Sequence, residues 1–265
     1  MKRVFTAALL IPLTILLVLK APPFLFYLFI TLIILLGLAE FFSLLRNKNL
    51  GYYQHGGFLA GGLLPLFFYW DEPVLVNLVL YLFVIILLSS QLFWRGDGVL
   101  ERISALGNTF LGVFYTSWLP SHFILLYNLP QGKEYIFFIL LVIWVGDTAA
   151  YYVGSKWGRH KLAPQTSPNK TIEGAVANLI GGILGAFLAR EWFLSSWGLM
   201  NTLLVGILLN GLGQLGDLSE SLLKRGCGVK DSGSLLPGHG GVLDRLDSLI
   251  FSVPALYYYC YFIRI

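Results

Sequence analysis

Charge is scarce in this chain: Asp, Glu, Lys and Arg make up 12% of its 265 residues, against 57% hydrophobic ones, and mean hydropathy is +0.74. A soluble domain carries about 25% charged and about 45–50% apolar residues, so a water-soluble globular protein is excluded and an integral membrane protein implied. Cysteine is scarcer still, with only Cys227 and Cys260. They offer no disulfide framework and no redox or zinc pattern, and the topology derived below puts them on opposite sides of the membrane. A net charge of +4 and a pI near 9.0 raise the question of nucleic acid. The basic residues form no continuous stripe, however, and lie between apolar runs, where they mark topology. Also missing is a small-residue cleavage site after Lys2, Arg3 and the run Val4 to Leu19. The expectation is therefore an uncleaved first span rather than a signal peptide.

What is present is apolar sequence in membrane-length pieces. Spanning the hydrocarbon takes about 17–25 apolar residues. Nine stretches qualify as candidates: Val4 to Leu19, Pro23 to Leu45, Tyr52 to Trp70, Pro73 to Trp94, Thr109 to Leu129, Tyr135 to Gly154, Ile172 to Arg190, Leu199 to Lys224 and Gly241 to Ile263. The third is the weakest, being strongly apolar only from Phe58. With the N-terminus in the cytoplasm, 14 of the 18 Lys and Arg residues fall inside and only Lys20, Lys133, Arg190 and Arg264 outside. The expected fold is all-α and polytopic, with about nine spans, the N-terminus cytoplasmic and the C-terminus outside. It is read as one integral domain in the cell (inner) membrane, with five scaffold spans in residues 1–134 and four catalytic spans in residues 135–265, linked by cytoplasmic loops 155–171 and 225–240. Trp70, Trp94, Trp192, Trp197 and Tyr257 to Tyr259 are read as aromatic belts, and Arg95 to Leu106 as an interfacial connector.

Glycine patterns carry little chemistry. Gly57 with Gly61, and Gly181 with Gly185, let helix backbones approach within the bundle. Gly211, Gly213 and Gly216 spell a dinucleotide fingerprint but lie in an apolar helix with no strand before them, so that reading is set aside.

The few charges gather between Gly216 and Ser248. Asp217, Ser221 and Lys224 stand at i, i+4 and i+7, one helix face, and Asp244 and Asp247 at i and i+3 on the next helix. The expectation is that three carboxylates converge between two helices, a donor set for a hard cation such as magnesium, which keeps waters and phosphate oxygens as its other ligands. Lys224, Arg225, Lys230 and Arg245 are the complementary cations for phosphate. Metal-assisted phosphoryl or nucleotidyl transfer follows.

The run Ser221-Leu-Leu-Lys224-Arg225, then Lys230-Asp231, then Pro237-Gly-His239-Gly240-Gly241, then Asp244-Arg245 and Asp247 resembles the signature of the phosphatidate cytidylyltransferases, the CDP-diacylglycerol synthases. The resemblance implies transfer of CMP from CTP to phosphatidic acid, giving CDP-diacylglycerol and pyrophosphate at the cytoplasmic face. It implies CTP, phosphatidic acid and membrane lipid as partners, no nucleic acid, room for a homodimer, and Mg2+ with or without a second, monovalent or divalent cation. Metal binding falls to Asp217, Asp244 and Asp247, and phosphate contact to Lys170, Ser221, Lys224, Arg225, Lys230, His239 and Arg245. Gly240 and Gly241 would bring backbone N–H groups to phosphate. Arg245 is equally read as neutralising Asp244 or Asp217, and Glu220 and Asp231 as solvated or ion-paired acids.

A second cluster lies upstream. Asp147 sits about seven residues from the inner end of its span, so about 10 Å deep at 1.5 Å per residue. It is expected either to complete the metal shell or to hold a lysine. The following loop carries Lys156, Arg159, His160 and Lys161, for which setting orientation and touching anionic lipid is at least as good a reading as a functional one. The run Ser167-Pro-Asn169-Lys170-Thr171-Ile172-Glu173-Gly174 can cap the next helix and offer donors to phosphate. It resembles a second block of the same family, with departures at Asn169 and Ile172; Ser167 and Lys170 are the substrate-binding candidates. By depth Asp147, Asp217 and Asp247 are level. Two other functions compete: a CTP-dependent polyprenol kinase, which would need a base for a hydroxyl acceptor, and a secondary transporter. The latter is disfavoured because no internal repeat is seen and the outer halves of the spans are nearly bare of polar residues.

Overall fold

A computed structural model describes residues 12–93, 98–235, 238 and 240–263. Most of the expected first span, Trp94, Arg95, Asp97 and His239 lie outside the described residues. The chain packs as two units, the first running to Leu125 and adding Gly226–Arg245, the second comprising Leu126–Arg225 and Leu246–Ile265.

In the first unit, helix α1 covers residues 12–20. It is followed by α2 (Pro23–Asn47), α3 (Gln54–Tyr69), α4 (Pro73–Leu92) and α5 (Val99–Val113). Pro23 and Pro73 open their helices, where a missing N–H costs nothing. A π-helical turn, Phe114–Trp118, joins α5 to α6 (Leu119–Asn128) without a break. The Leu119 N–H reaches back five residues to the Phe114 carbonyl, and Pro120, with no N–H of its own, follows directly. The Ser117 hydroxyl donates to the Gly61 carbonyl at 2.8 Å and the Tyr53 N–H to the Thr109 hydroxyl at 2.8 Å, tying α3 to this long helix. A Cβ on Gly57 or Gly61 would run into Phe42 or Leu38, so this glycine pair serves packing inside the bundle.

The second unit is built on α7 (Gly132–Trp157), α8 (Ile172–Trp192), α9 (Leu199–Gly226) and the larger part of α10 (Leu243–Ile263). Helices α7 and α8 lie against each other along a seam of small residues, where Gly181 meets Ala149 and Gly146, and Gly185 meets Val142 and Val145. Lipid offers no hydrophobic gain for helix association, so close backbone approach of this kind is what holds such a pair. Helix α9 meets α10 in the same way: Gly213 lies against Ser248, Gly216 against the Asp247 carbonyl, and the Ser252 hydroxyl donates to the Leu209 carbonyl at 2.9 Å. Two glycines of the apparent dinucleotide fingerprint, Gly213 and Gly216, are thus helix-packing residues.

Several expectations are corrected. Of the nine expected spans, seven are matched among the described residues by helices long and apolar enough to cross a membrane, and most of the first lies outside those residues. Helix α3, with 16 residues and Pro65 inside it, is not one of them. The expected connector is helical from Val99 and continuous with the helix of the fifth span. An all-helical reading also missed a hairpin between α7 and α8, formed by β1 (Lys161–Ala163) and β2 (Ser167–Thr171), antiparallel with Lys161 opposite Thr171. Trp197, read as a belt residue, is 1% exposed and packs on Phe138 and Tyr135 at 4.9 and 5.8 Å, and Tyr257 is buried too. Trp70 and Trp192 are exposed, as a belt requires. Both Cys227 and Cys260 are free thiols.

Candidate active site

The hairpin presents the substrate candidates of the second unit. Thr171 is the N-cap of α8, its hydroxyl accepting the Gly174 N–H at 3.1 Å, which bears out the capping expectation for this run. Glu173, in the first turn of α8, accepts the N–H groups of Arg159 and His160 and lies 2.6 Å from His160 Nδ1. It fastens the start of the hairpin and is occupied with that. The Arg225 guanidinium, at the end of α9, donates to the Thr166 carbonyl at 3.3 Å and so meets the hairpin turn.

Between hairpin and helices lies a cavity of about 630 Å³. Asp147 and Tyr151 from α7, Asn169 and Lys170 from β2, Asn178 from α8, and Gln214 and Asp217 from α9 line it. Lys170 Nζ stands 2.5 Å from Asp217 Oδ2. Asp147 is within electrostatic reach of both Lys170 and Asp217. A chain of amides continues inward: Asn178 donates to Asp147 Oδ1 at 3.0 Å, and Gln214 to Asn178 Oδ1 at 3.1 Å and to the Ala175 carbonyl at 3.2 Å. Sequence reading missed Asn178 and Gln214. Uncharged amides on apolar helices carry the same signal as a buried charge, only weaker.

Asp247 completes the acidic group of this unit, within electrostatic reach of Asp217, Asp147 and Lys224. Lys224 pairs with Glu220 one turn back on α9, and Glu220 is 2% exposed, so the ion-paired alternative for that acid holds. Ser221 is half-buried on the same helix and Ser167 half-buried at the start of β2. Among the described residues no group of three His, Cys, Asp or Glu side chains is arranged to hold a metal ion by itself.

The rest of the signature belongs to the first unit. Asp244, at the start of α10, uses Oδ2 to accept the Gly241 N–H at 2.7 Å and the Ser232 N–H at 2.9 Å, and the Ser232 hydroxyl lies 3.0 Å away. Gly240 has φ +80°, a backbone state that glycine adopts freely, and a Cβ there would meet Asp244. Lys230 and Arg245 are exposed. Glu40, which sequence reading passed over, is buried on α2 and accepts the N–H groups of Val242 and Leu243, each at 2.9 Å. A lone acid inside an apolar span was the available signal.

Fold and pocket together define a polytopic helical membrane protein whose polar cavity is lined by carboxylates, amides and a lysine. The profile of the Cytidylyltransferase family matches residues 1–263. A phosphatidate cytidylyltransferase of Bacillus subtilis is 36% identical over 238 residues, 87% of each chain. Those of Staphylococcus saprophyticus and Staphylococcus aureus are 48% identical over 126 residues and 47% over 130, in each case 48% of both chains. The chain belongs to the cytidylyltransferase family, and so to the nucleotidyltransferase enzymes.

Proposed function

We propose that the protein is a CTP:phosphatidate cytidylyltransferase. An oxygen of the lipid phosphate attacks the α-phosphorus of CTP; the bond from that phosphorus to the β-bridging oxygen breaks, and pyrophosphate leaves with the electron pair. CDP-diacylglycerol is the product. The attacking phosphate is already anionic, so alignment and charge neutralisation, rather than a strong base, lower the barrier. The observation that carries this reading is the Lys170–Asp217 pair at the edge of a polar cavity, in a chain whose relatives bear that enzyme's name.

Lys170 contacts phosphate once CTP is bound, leaving Asp217. Lys224 and Arg225 are further phosphate contacts, with Ser167 and Ser221 as hydroxyl donors; Lys230, His239 and Arg245 are the signature's other candidates for phosphate. Asp217 and Asp247 have the hard oxygen donors a magnesium ion selects, on helices in contact at Gly216. Among the described residues no three-acid group is arranged to enclose it, so such an ion would keep water or phosphate oxygens as further ligands. Magnesium, with or without a second cation, would supply charge neutralisation at the phosphates.

The setting is a multi-pass protein of the cell membrane with its site at the cytoplasmic face. Nine crossings, with the N-terminus inside and the C-terminus outside, add residues 4–19 and α3 to the seven long helices; a homodimer is compatible with this arrangement. The test is transfer of label to phosphatidic acid by purified protein. Label from α-labelled but not γ-labelled CTP is expected; γ-label in lipid would identify a kinase, and no label from either would end the proposal.

A further inference from the structure

We infer that Glu40 is a positioning residue for the reaction: from α2 it fixes the backbone of the signature segment around Ser232 and Gly241–Leu243, and turnover depends on it although it contacts no substrate. The inference rests on the reading that the signature residues at 238–247 serve nucleotidyl transfer.

Glu40 is 7% exposed inside an apolar helix, where a carboxylate persists only with partners of its own. Its partners are specific. Oε1 accepts the Val242 N–H, while Oε2 accepts the Leu243 N–H and lies 3.1 Å from the Ser232 hydroxyl. Val242 and Leu243 stand where α10 begins, and their N–H groups are among those a helix start leaves without an internal acceptor. An anion there also meets the positive end of the helix. Ser232 joins this carboxylate to the next one, since its hydroxyl also lies 3.0 Å from Asp244 Oδ2. One hydroxyl proton serves two carboxylates, so Glu40 and Asp244 are held in a single arrangement.

The glycines agree with this account. A Cβ on Gly233 or on Gly241 would collide with the Glu40 carboxylate, so the segment is shaped around that group. Two adjacent N–H donors require two acceptor oxygens. Glutamine has the same shape and offers one, which turns its NH2 group toward a donor.

The test compares the purified full chain with Glu40→Gln and Glu40→Ala in detergent with phosphatidic acid. It reads hydrogen exchange by segment and steady-state turnover per folded molecule. In Glu40→Gln, exchange at residues 240–244 is expected to quicken at least about tenfold while the other helices stay protected. In the same variant kcat should fall at least about tenfold, with KM for CTP within about threefold. Unchanged exchange in that segment overturns the inference, and so does quickened exchange with kcat unaltered, which would leave Glu40 a purely structural clamp. If Glu40→Ala does not fold, the isosteric variant decides alone. A wild-type chain that transfers no label defeats the parent reading, and the positioning role falls with it; the exchange data then show separately whether the clamp exists.

Discussion

Asp217 in the second unit places an oxygen beside a lysine at the edge of a cavity, whereas Asp244 in the first places one on two backbone N–H groups and a hydroxyl. Both are aspartates of the charged stretch between Gly216 and Ser248, Asp217 inside α9 and Asp244 at the start of α10. A lysine partner is mobile, carries a full charge and exchanges readily for a metal or a phosphate. Backbone N–H partners are fixed by the fold, and a carboxylate bound to them shapes a loop instead of binding a solute. The difference teaches that spacing identifies the acids but the partner decides their work. In the second unit the Asp217 carboxylate has a side-chain partner beside a cavity, and in the first Asp244 and Glu40 are taken up by the backbone of the signature segment.

The contrast is broken most severely by removing the charge at the cavity. Asp217→Asn is expected to lower CMP transfer at least about 100-fold, the scale of losing a key electrostatic group in a closed site. The labelled-lipid assay reads it, with size-exclusion chromatography confirming the fold. A variant within about threefold of wild type would mean that Asp217 is merely Lys170's partner. Lys170→Ala should cost about tenfold or more, chiefly in KM for CTP if the lysine meets the nucleotide's phosphates, and Lys170→Arg should recover part of it. An unchanged KM in both would place Lys170 outside the nucleotide site.

Much of the second unit was legible beforehand. Thr171 as a cap follows from a hydroxyl placed just before an apolar run, and the grouping of Asp147, Asp217 and Asp247 follows from residue counts at a fixed helical rise. What escaped was set by packing that a linear reading does not contain. The hairpin strand Ser167–Thr171 includes Pro168 and Lys170 and shows no alternation of apolar and polar residues, so nothing marks it as β. Trp197 and Trp192 sit at neighbouring helix ends with the same composition around them, yet one is buried and the other bare. Which side of a helix faces protein or lipid is not written in overall hydropathy. Glu40 was lost for the opposite reason, because one acid hardly alters the hydropathy of so apolar a helix.

Stability separates the units further. Gly241→Ala in the first unit would press a methyl group on Glu40 and on the Ser232 hydroxyl, and Gly216→Ala in the second would press one on the Asp247 carbonyl. Each is expected to cost about 1–3 kcal/mol, the usual penalty for overpacking, read as a lower melting temperature in detergent. Gly241→Ala should also quicken exchange at residues 240–244, because it displaces the clamp, while Gly216→Ala should leave that segment protected. Equal exchange in the two variants would remove the distinction between a loop built on carboxylates and a helix pair built on backbone contact.

The smallest effect tests the reading of the three glycines on α9. A dinucleotide fold would need all of them, the first for its tight turn. Here only Gly213 and Gly216 have a neighbour in the way, and the space around Gly211 is open within 4 Å. Gly211 lies inside α9 and has no left-handed φ, so a methyl group there meets nothing and reduces the freedom of the unfolded chain. Gly211→Ala is therefore expected to raise stability by about 0.5–1 kcal/mol, the ordinary difference between the two residues in a helix, with transfer activity unchanged. A drop in melting temperature comparable to that of Gly216→Ala would show that Gly211 also faces a partner, and the packing account of this helix would have to include one.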